Sequence, residues 1–193
     1  MSMFREHWIG GLVVYTSFFA ISLATTLIGF FVFRQPIDWN PTMSLEPLKI
    51  AACFVIAVLS GLWPDVDTKS KSQQIFYRIF IIFNVVLIYM GHYSISAFFG
   101  LFAMLPLIGN HRGWTHSKLT MLLLPAVFLI LPMVYFQRDL LDRNELLAVQ
   151  NLVLLKGGLP FYAASLIGYA THLHLDGILL QSRKAQRRQA RTG

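Results

Sequence analysis

The chain is poor in cysteine and in charged side chains, and both shortages narrow the class of protein. Cys53 is the single cysteine, so an intrachain disulfide is excluded and a small core residue is its expected role. Only 13% of the residues are charged, whereas 55% are hydrophobic, which is too apolar for a typical soluble domain. Internal repeats and low-complexity linkers are also missing from the sequence. We therefore expect one compact helical bundle in a membrane.

Acidic residues are few, but the resulting basic excess does not indicate a nucleic-acid-binding protein. Nine Asp and Glu against sixteen Lys and Arg leave a formal net charge of +7. The basic residues cluster at the ends of apolar runs and in the C-terminal tail, as membrane topology requires. We expect no direct nucleic-acid partner. The predicted organisation is a single transmembrane domain over residues 1–182, followed by a basic cytoplasmic tail over residues 183–193.

Long apolar runs predict an all-α fold, a polytopic bundle of membrane-spanning helices. A spanning helix needs about 20 apolar residues. The first run, 8–33, is long for a signal-peptide core and has no clear cleavage site, so we expect it to be retained. The candidate membrane-spanning runs are 8–33, 48–63, 75–109, 119–136 and 159–180.

The run 75–109 decides the number of spans. Its 35 residues would form a helix of about 52 Å, which is too long for a hydrocarbon core of about 30 Å. The sequence Gly91-His92-Tyr93-Ser94 offers a tight turn in the middle. We therefore predict two short spans, at about 75–91 and 95–109, and six spans in all.

The distribution of Lys and Arg predicts the orientation of these six spans. Eleven of the sixteen basic residues then lie on the side that holds both termini and the loops 64–78 and 110–118. The positive-inside rule places that side in the cytoplasm. The same arrangement brings all the metal-type polar clusters to the cytoplasmic side.

His172 and Asp176 form one of three polar clusters beside the apolar runs. Carboxylates and imidazoles are costly in or beside hydrocarbon, so they need a partner or a function there. A spacing of four residues places both side chains on one helix face. There both could bind one ion, or one could orient the other. The alternative is a buried His–Asp hydrogen bond that ties helices together. His174 points elsewhere and is left out of the site.

Asp65 and Asp67 follow a helix end that is marked by Trp63-Pro64. Two carboxylates separated by one residue can bind one ion or bridge two ions. Their oxygen atoms suit hard cations such as Mg²⁺ or Mn²⁺. The alternative is an acidic turn that only solvates the end of the helix.

His111 and His116 lie in a loop between two apolar runs. Five residues apart, they would stand about 140° apart on a helix, but a loop that enters a helix near Thr115 or Ser117 could bring them together. Arg112 between them carries a planar fork that suits phosphate. Metal ions beside an arginine are what phosphoester hydrolysis needs. Alternatively, Arg112 anchors lipid headgroups or only contributes to the positive-inside bias.

Two further histidines carry less information by themselves. His7 lies beside Trp8, before the first apolar run, where an interfacial histidine is more common than a metal ligand. His92 lies in the predicted turn at the opposite side of the membrane and is interpreted as structural.

In this order and between spanning helices, the clusters resemble the YdjM-like family. The resemblance covers residues 7–176, and the histidine before the first helix, His7, belongs to the family pattern. Members are described as LexA-regulated or LexA-binding, inner-membrane-associated, predicted metal-dependent hydrolases. The motifs that carry the resemblance are Pro64-Asp65-x-Asp67, His111-Arg112-Gly113-x-Thr115-His116-Ser117 and Gly168-Tyr169-x-x-His172-Leu173-x-x-Asp176.

This resemblance implies a multi-pass protein of the bacterial inner membrane with a divalent metal site. We expect zinc, with manganese or magnesium as alternatives, and one or two ions per chain. The candidates outnumber the four ligands of a tetrahedral zinc, so either two ions share the site or some residues orient others. The candidate metal ligands are His7, Asp65, Asp67, His111, His116, His172 and Asp176.

The expected reaction is hydrolysis of a phosphoester or of a lipid-linked ester at the cytoplasmic face. Asp65 or Asp176 could act as the general base, and Arg112 could hold the phosphate. The site would lie about 5–15 Å below the cytoplasmic surface. That depth fits membrane lipids and a lipid-linked or phosphorylated substrate as partners.

Two functions without hydrolysis remain open at this point. The chain could be a metal-stabilised membrane scaffold, or a regulator whose basic tail docks a cytoplasmic protein. An ion transporter is less favoured, because the candidate ligands gather at one side of the membrane whereas transport sites usually lie near its midplane.

Overall fold

The chain is all-helical in the computed structural model, which describes residues 2–67, 70–108, 114–130 and 149–180. The predicted all-α class is thus confirmed for these ranges, within which no strand occurs. The main helices are α1 (Ser2–Phe33), α2 (Pro47–Leu62), α3 (Lys71–Tyr89), α4 (Tyr93–Met104), α5 (Lys118–Leu123) and α6 (Val149–Leu175). Short 3-10 turns lie at Trp63–Asp67, Leu105–Ile108 and Trp114–His116.

Several of these helices have the length and composition of membrane spans. Within the described residues three segments are long and apolar enough to cross a membrane, namely Arg5–Phe33, Pro47–Val66 and Lys71–Tyr89. Shorter apolar segments are Tyr93–Met104 and Lys118–Ile130, the second of which is interrupted by a bend. Large apolar side chains such as Phe31 and Ile82 are each 66% exposed, which suits contact with lipid.

The run 75–109 forms two helices joined by a tight turn, as predicted. Gly91 has φ +78°, a left-handed conformation that glycine adopts without steric cost. The Ser96 hydroxyl donates to the Asn84 side-chain oxygen across the pair, and Phe80 stacks on Phe99 at 5.4 Å between ring centroids. The helices α3 and α4 therefore pack side by side as a hairpin.

Two predicted runs differ from the observed helices. In the run 119–136, α5 ends at Leu123 and residues 124–126 form a bend and a turn, since Pro125 has no backbone N–H to donate; residues 131–136 lie outside the described ranges. The run 159–180 lies on a helix that already begins at Val149 and carries Pro160 in its interior. That helix ends at Leu175 because the chain turns at Gly177, whose φ is +71°.

The centre of the bundle is the close packing of α1, α2 and α6 on one another, with α2 against α6 the most extensive pair. A Cβ atom added at Gly168 would lie 2.8 Å from the Ala57 carbonyl carbon and nearer still to its oxygen. A Cβ at Gly61 would lie 3.3 Å from the Gly168 carbonyl oxygen. Ser60 and Ser165 share a buried hydrogen bond of 2.8 Å between the same helices. Small residues thus bring the two backbones together, as in other membrane bundles.

Helices α2 and α6 run parallel to each other and antiparallel to α1, so particular ends meet. The first turns of α1 lie beside the last turns of α6, where a Cβ at Gly10 would contact Leu175 at 3.0 Å. The last turn of α2 lies there too, because Gly61 is close to both the Gly168 and the His7 carbonyl oxygens. Each of the three polar clusters therefore has residues at this one end of the bundle, among those that the structure describes.

The contact between α2 and α6 predicts that Gly168→Ala destabilises the fold. The added methyl group would overlap the Ala57 backbone, and overpacking of this kind costs about 1–3 kcal/mol. Thermal unfolding in detergent should show a transition several degrees lower. Gly157→Ala on the same helix is the matched control, because an added Cβ there meets no described atom within 4 Å. Equal stability of the two variants would contradict the close crossing.

Candidate metal site

Five of the predicted metal ligands meet at this end of the bundle. They come from four different elements, and two overlapping triads, His7–Asp65–His172 and His116–His172–Asp176, each have ligand atoms within 4.8 Å of one another. Of the other predicted site residues, His111 and Arg112 lie outside the described ranges, and Asp67 ends a 3-10 turn with its side chain outside the described set. The residues that the structure brings together are His7, Asp65, His116, His172 and Asp176.

The ring nitrogens of all three histidines face carboxylate oxygens. Asp176 is the common partner, with Oδ1 3.3 Å from His7 Nε2 and Oδ2 3.3 Å from His172 Nε2 and 3.5 Å from His116 Nε2. Asp65 Oδ1 lies 3.7 Å from the Nε2 atoms of both His116 and His172. Three imidazoles and two carboxylates therefore converge on one small region.

His172 is at the centre of the cluster and is fully buried. Its Nδ1 donates to the Gly61 carbonyl oxygen at 2.7 Å, and a carbonyl can only accept, so Nδ1 carries the hydrogen. The Nε2 atom has no hydrogen-bond partner among the described residues, although Asp176 Oδ2 is 3.3 Å away. In the neutral ring, Nε2 therefore presents a lone pair to the cluster, as a metal ligand does.

His116 ends the 3-10 turn Trp114–His116, and its ring has a polar contact on the side away from the carboxylates. Its Nδ1 lies 3.1 Å from the Thr115 hydroxyl, which leaves Nε2 to face the carboxylates. The Thr115 carbonyl accepts a short hydrogen bond from the buried Tyr169 hydroxyl on α6. Ser117 caps the following helix by accepting from the Thr120 N–H at 3.0 Å. A loop that enters a helix at Ser117, as the sequence suggests, thus delivers His116 to the site.

His7 belongs to the cluster, although its spacing alone suggested an interfacial residue. It lies one turn inside α1, is 3% exposed, and stacks on His172 with ring centroids 4.0 Å apart. Gly10 and Gly11 let α1 approach α6 and α2, since neighbouring atoms fill the space that their side chains would occupy. Its Nδ1 is buried and finds no hydrogen-bond partner among the described residues.

Asp65 is positioned by the start of α3. The Ser70 hydroxyl donates to the Asp65 carbonyl oxygen at 3.0 Å and accepts from the Gln73 N–H, capping α3. The Gln73 side chain donates to the Val66 carbonyl oxygen at 3.0 Å. The carboxylate turn is therefore tied to the next helix. A serine before a helical run is the sequence signal that could have identified this support.

Asp176 is the C-cap of α6 and is placed by a Schellman motif. The Ile178 N–H donates to the Leu173 carbonyl at 2.8 Å, and the Gly177 N–H donates to the His174 carbonyl at 2.9 Å. The carboxylate is thereby held at the end of α6, with its two oxygens 3.3 Å from His7 Nε2 and His172 Nε2.

The cluster is suited to a positive charge between its members. His172 carries its hydrogen on Nδ1, so its Nε2 lone pair faces Asp176 unless the ring is protonated or a cation is bound. Neutral His7 and His116 rings could each donate an Nε2–H to a carboxylate. The close stack of His7 on His172 opposes double protonation, because two imidazolium rings at that distance repel. The ends of α2 and α6 also direct the negative poles of their helix dipoles here, which favours a cation. A divalent ion bound by neutral imidazoles satisfies all of these conditions.

The distances fit one metal ion. Donors at about 2.0–2.1 Å around a tetrahedral zinc lie about 3.3 Å apart, and the five Nε2–oxygen distances are 3.3–3.7 Å. Both triads share His172 Nε2, whose single lone pair can bind one ion. The described residues could therefore hold one ion, with one donor to spare.

The other histidines lie where the sequence analysis placed them. His174 is exposed, so its side chain leaves the cluster although it lies between His172 and Asp176. His92 precedes α4 at the far turn and makes no side-chain cap. The supporting residues Thr115 and Tyr169 were quoted as parts of motifs, yet spacing assigned them no role. Their hydrogen bonds join residues 54 positions apart, which no local pattern reveals.

Comparison with known proteins supports the resemblance that these motifs suggested. A family model described as YdjM inner membrane protein matches residues 3–184 of the chain. The match includes every element that contributes to the cluster. Comparisons with curated proteins and with solved structures gave no match. With nearly the whole length covered, the chain belongs to the YdjM family of inner membrane proteins.

Proposed function

We propose that the chain is a membrane-bound, metal-dependent hydrolase that cleaves a phosphoester or a lipid-linked ester at the cytoplasmic face of the inner membrane. The observation that carries this proposal is the meeting of three imidazole nitrogens and two carboxylates within the span of one ion. A donor set rich in imidazole favours zinc over magnesium, which prefers oxygen ligands.

The two carboxylates differ in their geometry, and this suggests different roles. Asp176 lies within 3.5 Å of all three imidazoles, so it is the carboxylate ligand beside His7, His116 and His172. Asp65 is farther from His116 and His172, at 3.7 Å, and its side chain is 26% exposed. It is therefore placed to accept the proton of an attacking water molecule as general base.

Bound at these residues, a divalent ion would supply a water molecule that ionises near neutral pH and a Lewis acid for the ester oxygen. The protein would contribute the fixed positions of the ligand side chains, and Asp65 would accept the proton of the attacking water molecule. Arg112 lies two residues before Trp114 in the sequence, next to the turn that carries His116. From there its guanidinium group would hold a phosphate by two parallel hydrogen bonds. A second ion, if present, would need His111 or Asp67.

An amphiphilic substrate suits the surroundings of the cluster. Leu175, directly before Asp176, is 48% exposed, and Ile9, two residues after His7, is 37% exposed. Apolar surface therefore lies beside the partly exposed carboxylates. The cluster lies near the ends of the helices and not at their middle. The phosphates of lipid headgroups would lie at the same level as these helix ends. A phosphate joined to an apolar tail matches both features.

Metal binding is tested by elemental analysis of the purified protein and by zinc titration. We expect about one zinc per chain and a loss of binding by His172→Ala, because that variant removes the donor shared by both triads. His174→Ala is the matched control, since the His174 side chain is exposed two residues farther along the helix and its loss should leave the metal bound. Wild-type protein without a bound divalent metal would contradict the proposal.

Hydrolysis is tested with a panel of phosphate esters and lipid esters. Asp65→Asn should retain the metal but lose turnover by about 10²-fold or more, because it removes the base. Asp176→Asn should lower metal affinity itself, since it removes the charged ligand. The two variants thus separate binding from proton transfer. Full occupancy by zinc without turnover of any ester would contradict a hydrolase and support the metal-stabilised scaffold.

We further propose six membrane spans with both termini in the cytoplasm. The α3–α4 hairpin supplies two short spans, and α6 at 27 residues would be about 40 Å long. As the central helix, α6 needs less apolar surface because α1 and α2 cover it. The Lys and Arg bias gives the orientation.

The topology is tested by cysteine labelling in a Cys53→Ser background. Lys71→Cys and Met104→Cys lie at the site end of the hairpin, whereas Tyr89→Cys lies at its turn and is 91% exposed. In spheroplasts, a membrane-impermeant maleimide should label Tyr89→Cys only, and the other two should react after lysis. Labelling of Lys71→Cys in intact spheroplasts would reverse the proposed orientation.

A further inference from the structure

The turn that carries His116 is attached to α6 by one buried side chain. Tyr169 is fully buried, and its hydroxyl donates a short hydrogen bond to the Thr115 carbonyl oxygen. Thr115 in turn is 1% exposed, and its hydroxyl lies 3.1 Å from His116 Nδ1. A continuous path of polar contacts therefore runs from α6 to the imidazole whose Nε2 faces the carboxylates.

Tyr169 and His172 lie close together on α6, so the same helix carries His172 and contacts the turn that carries His116. Tyr169 precedes His172 by three residues, so the two side chains lie on neighbouring positions of the same helix face. One helix thus holds His172 directly and His116 through the turn Trp114–His116. The His116 and His172 rings are 5.5 Å apart, in an edge-to-face arrangement. The Tyr169 hydrogen bond joins the turn Trp114–His116 to one level along α6. It therefore bears on the distance between the Nε2 atoms of His116 and His172.

Trp63 closes the space around this contact. Its ring lies 5.9 Å from Tyr169 and 5.5 Å from Trp114, measured between centroids, and it is 2% exposed. Water therefore has little access to replace the Tyr169 hydrogen bond if the hydroxyl is removed. The Thr115 carbonyl would lose that partner, and the turn would lose its hydrogen bond to Tyr169 on α6.

We propose that Tyr169 is a positioning residue that sets the orientation of His116 through Thr115. This inference rests on the proposed function in so far as His116 is a metal ligand. Groups that orient a metal-binding histidine typically change metal affinity by about 10–100-fold when they are removed. The hydroxyl of Tyr169 acts on the peptide that holds His116, and it takes no part in the reaction.

Tyr169→Phe removes only the hydroxyl and is the direct test. Tyr162→Phe is the matched control, because the Tyr162 hydroxyl also reaches from α6 to a backbone carbonyl, that of Leu122 at 3.5 Å, but outside the cluster. We expect Tyr169→Phe to weaken zinc binding about 10–100-fold and to change the visible spectrum of the Co²⁺-substituted protein. The control should leave both unchanged. Unchanged zinc affinity and an unchanged Co²⁺ spectrum in Tyr169→Phe would overturn the proposal.

A measurement on metal-free protein separates this inference from the proposed function. With ¹⁵N-labelled histidine, Tyr169→Phe should shift the His116 ring resonances while Tyr162→Phe leaves them in place. Wild-type protein that binds no metal would refute the proposed function alone, whereas unshifted His116 resonances would refute the role of Tyr169. Should Tyr169→Phe fail to fold, Thr115→Val and Thr115→Ser test the second contact of the path, because only the serine keeps the hydroxyl beside His116 Nδ1. Equal His116 resonances in these two variants would contradict orientation of His116 through Thr115.

Discussion

The balance of charge around Asp65 and Asp176 is the constraint on which this end of the molecule depends. Two carboxylates lie within 3.7 Å of imidazole nitrogens whose side chains are at most 4% exposed. The carboxylates themselves are 26% and 22% exposed, so water stabilises their negative charge only in part. Protonation of both stacked rings, His7 and His172, is opposed by their closeness. A bound cation would relieve both problems, and this supports the proposed metal site over a set of structural ion pairs.

The same close crossing of helices that holds the bundle together also prepares the site. Gly168 lies against Ala57, and the Gly61 backbone is drawn towards α6 by this contact. His172, one turn after Gly168, then finds the Gly61 carbonyl within 2.7 Å of its Nδ1. The hydrogen bond selects the tautomer whose Nε2 can bind a metal. The small residue at the crossing thus serves both the packing of α2 against α6 and the orientation of His172.

Local patterns predicted some of this structure, and tertiary packing decided the rest. The turn at Gly91 and the pairing of His172 with Asp176 follow from chain length and helical spacing. His7 could not be assigned from spacing, because its place depends on glycines at 10 and 11 that let α1 approach two other helices. The described part of α6 already starts at Val149, ahead of the predicted run 159–180, and the helix continues through Pro160. Tyr169 acts on a residue 54 positions away, beyond any periodicity.

The exposure of the donors bears on whether such a site is structural or catalytic. Structural zinc sites are closed and use four protein ligands, whereas catalytic sites keep a position open for water or substrate. Here the imidazoles are buried, but the side chains of Asp65 and Asp176 are 26% and 22% exposed. The cluster therefore opens through its carboxylates, with exposed Leu175 beside them. Around one proposed tetrahedral ion, five donors would leave one carboxylate free of coordination at this opening, where it could serve as the proton acceptor of the proposed hydrolysis.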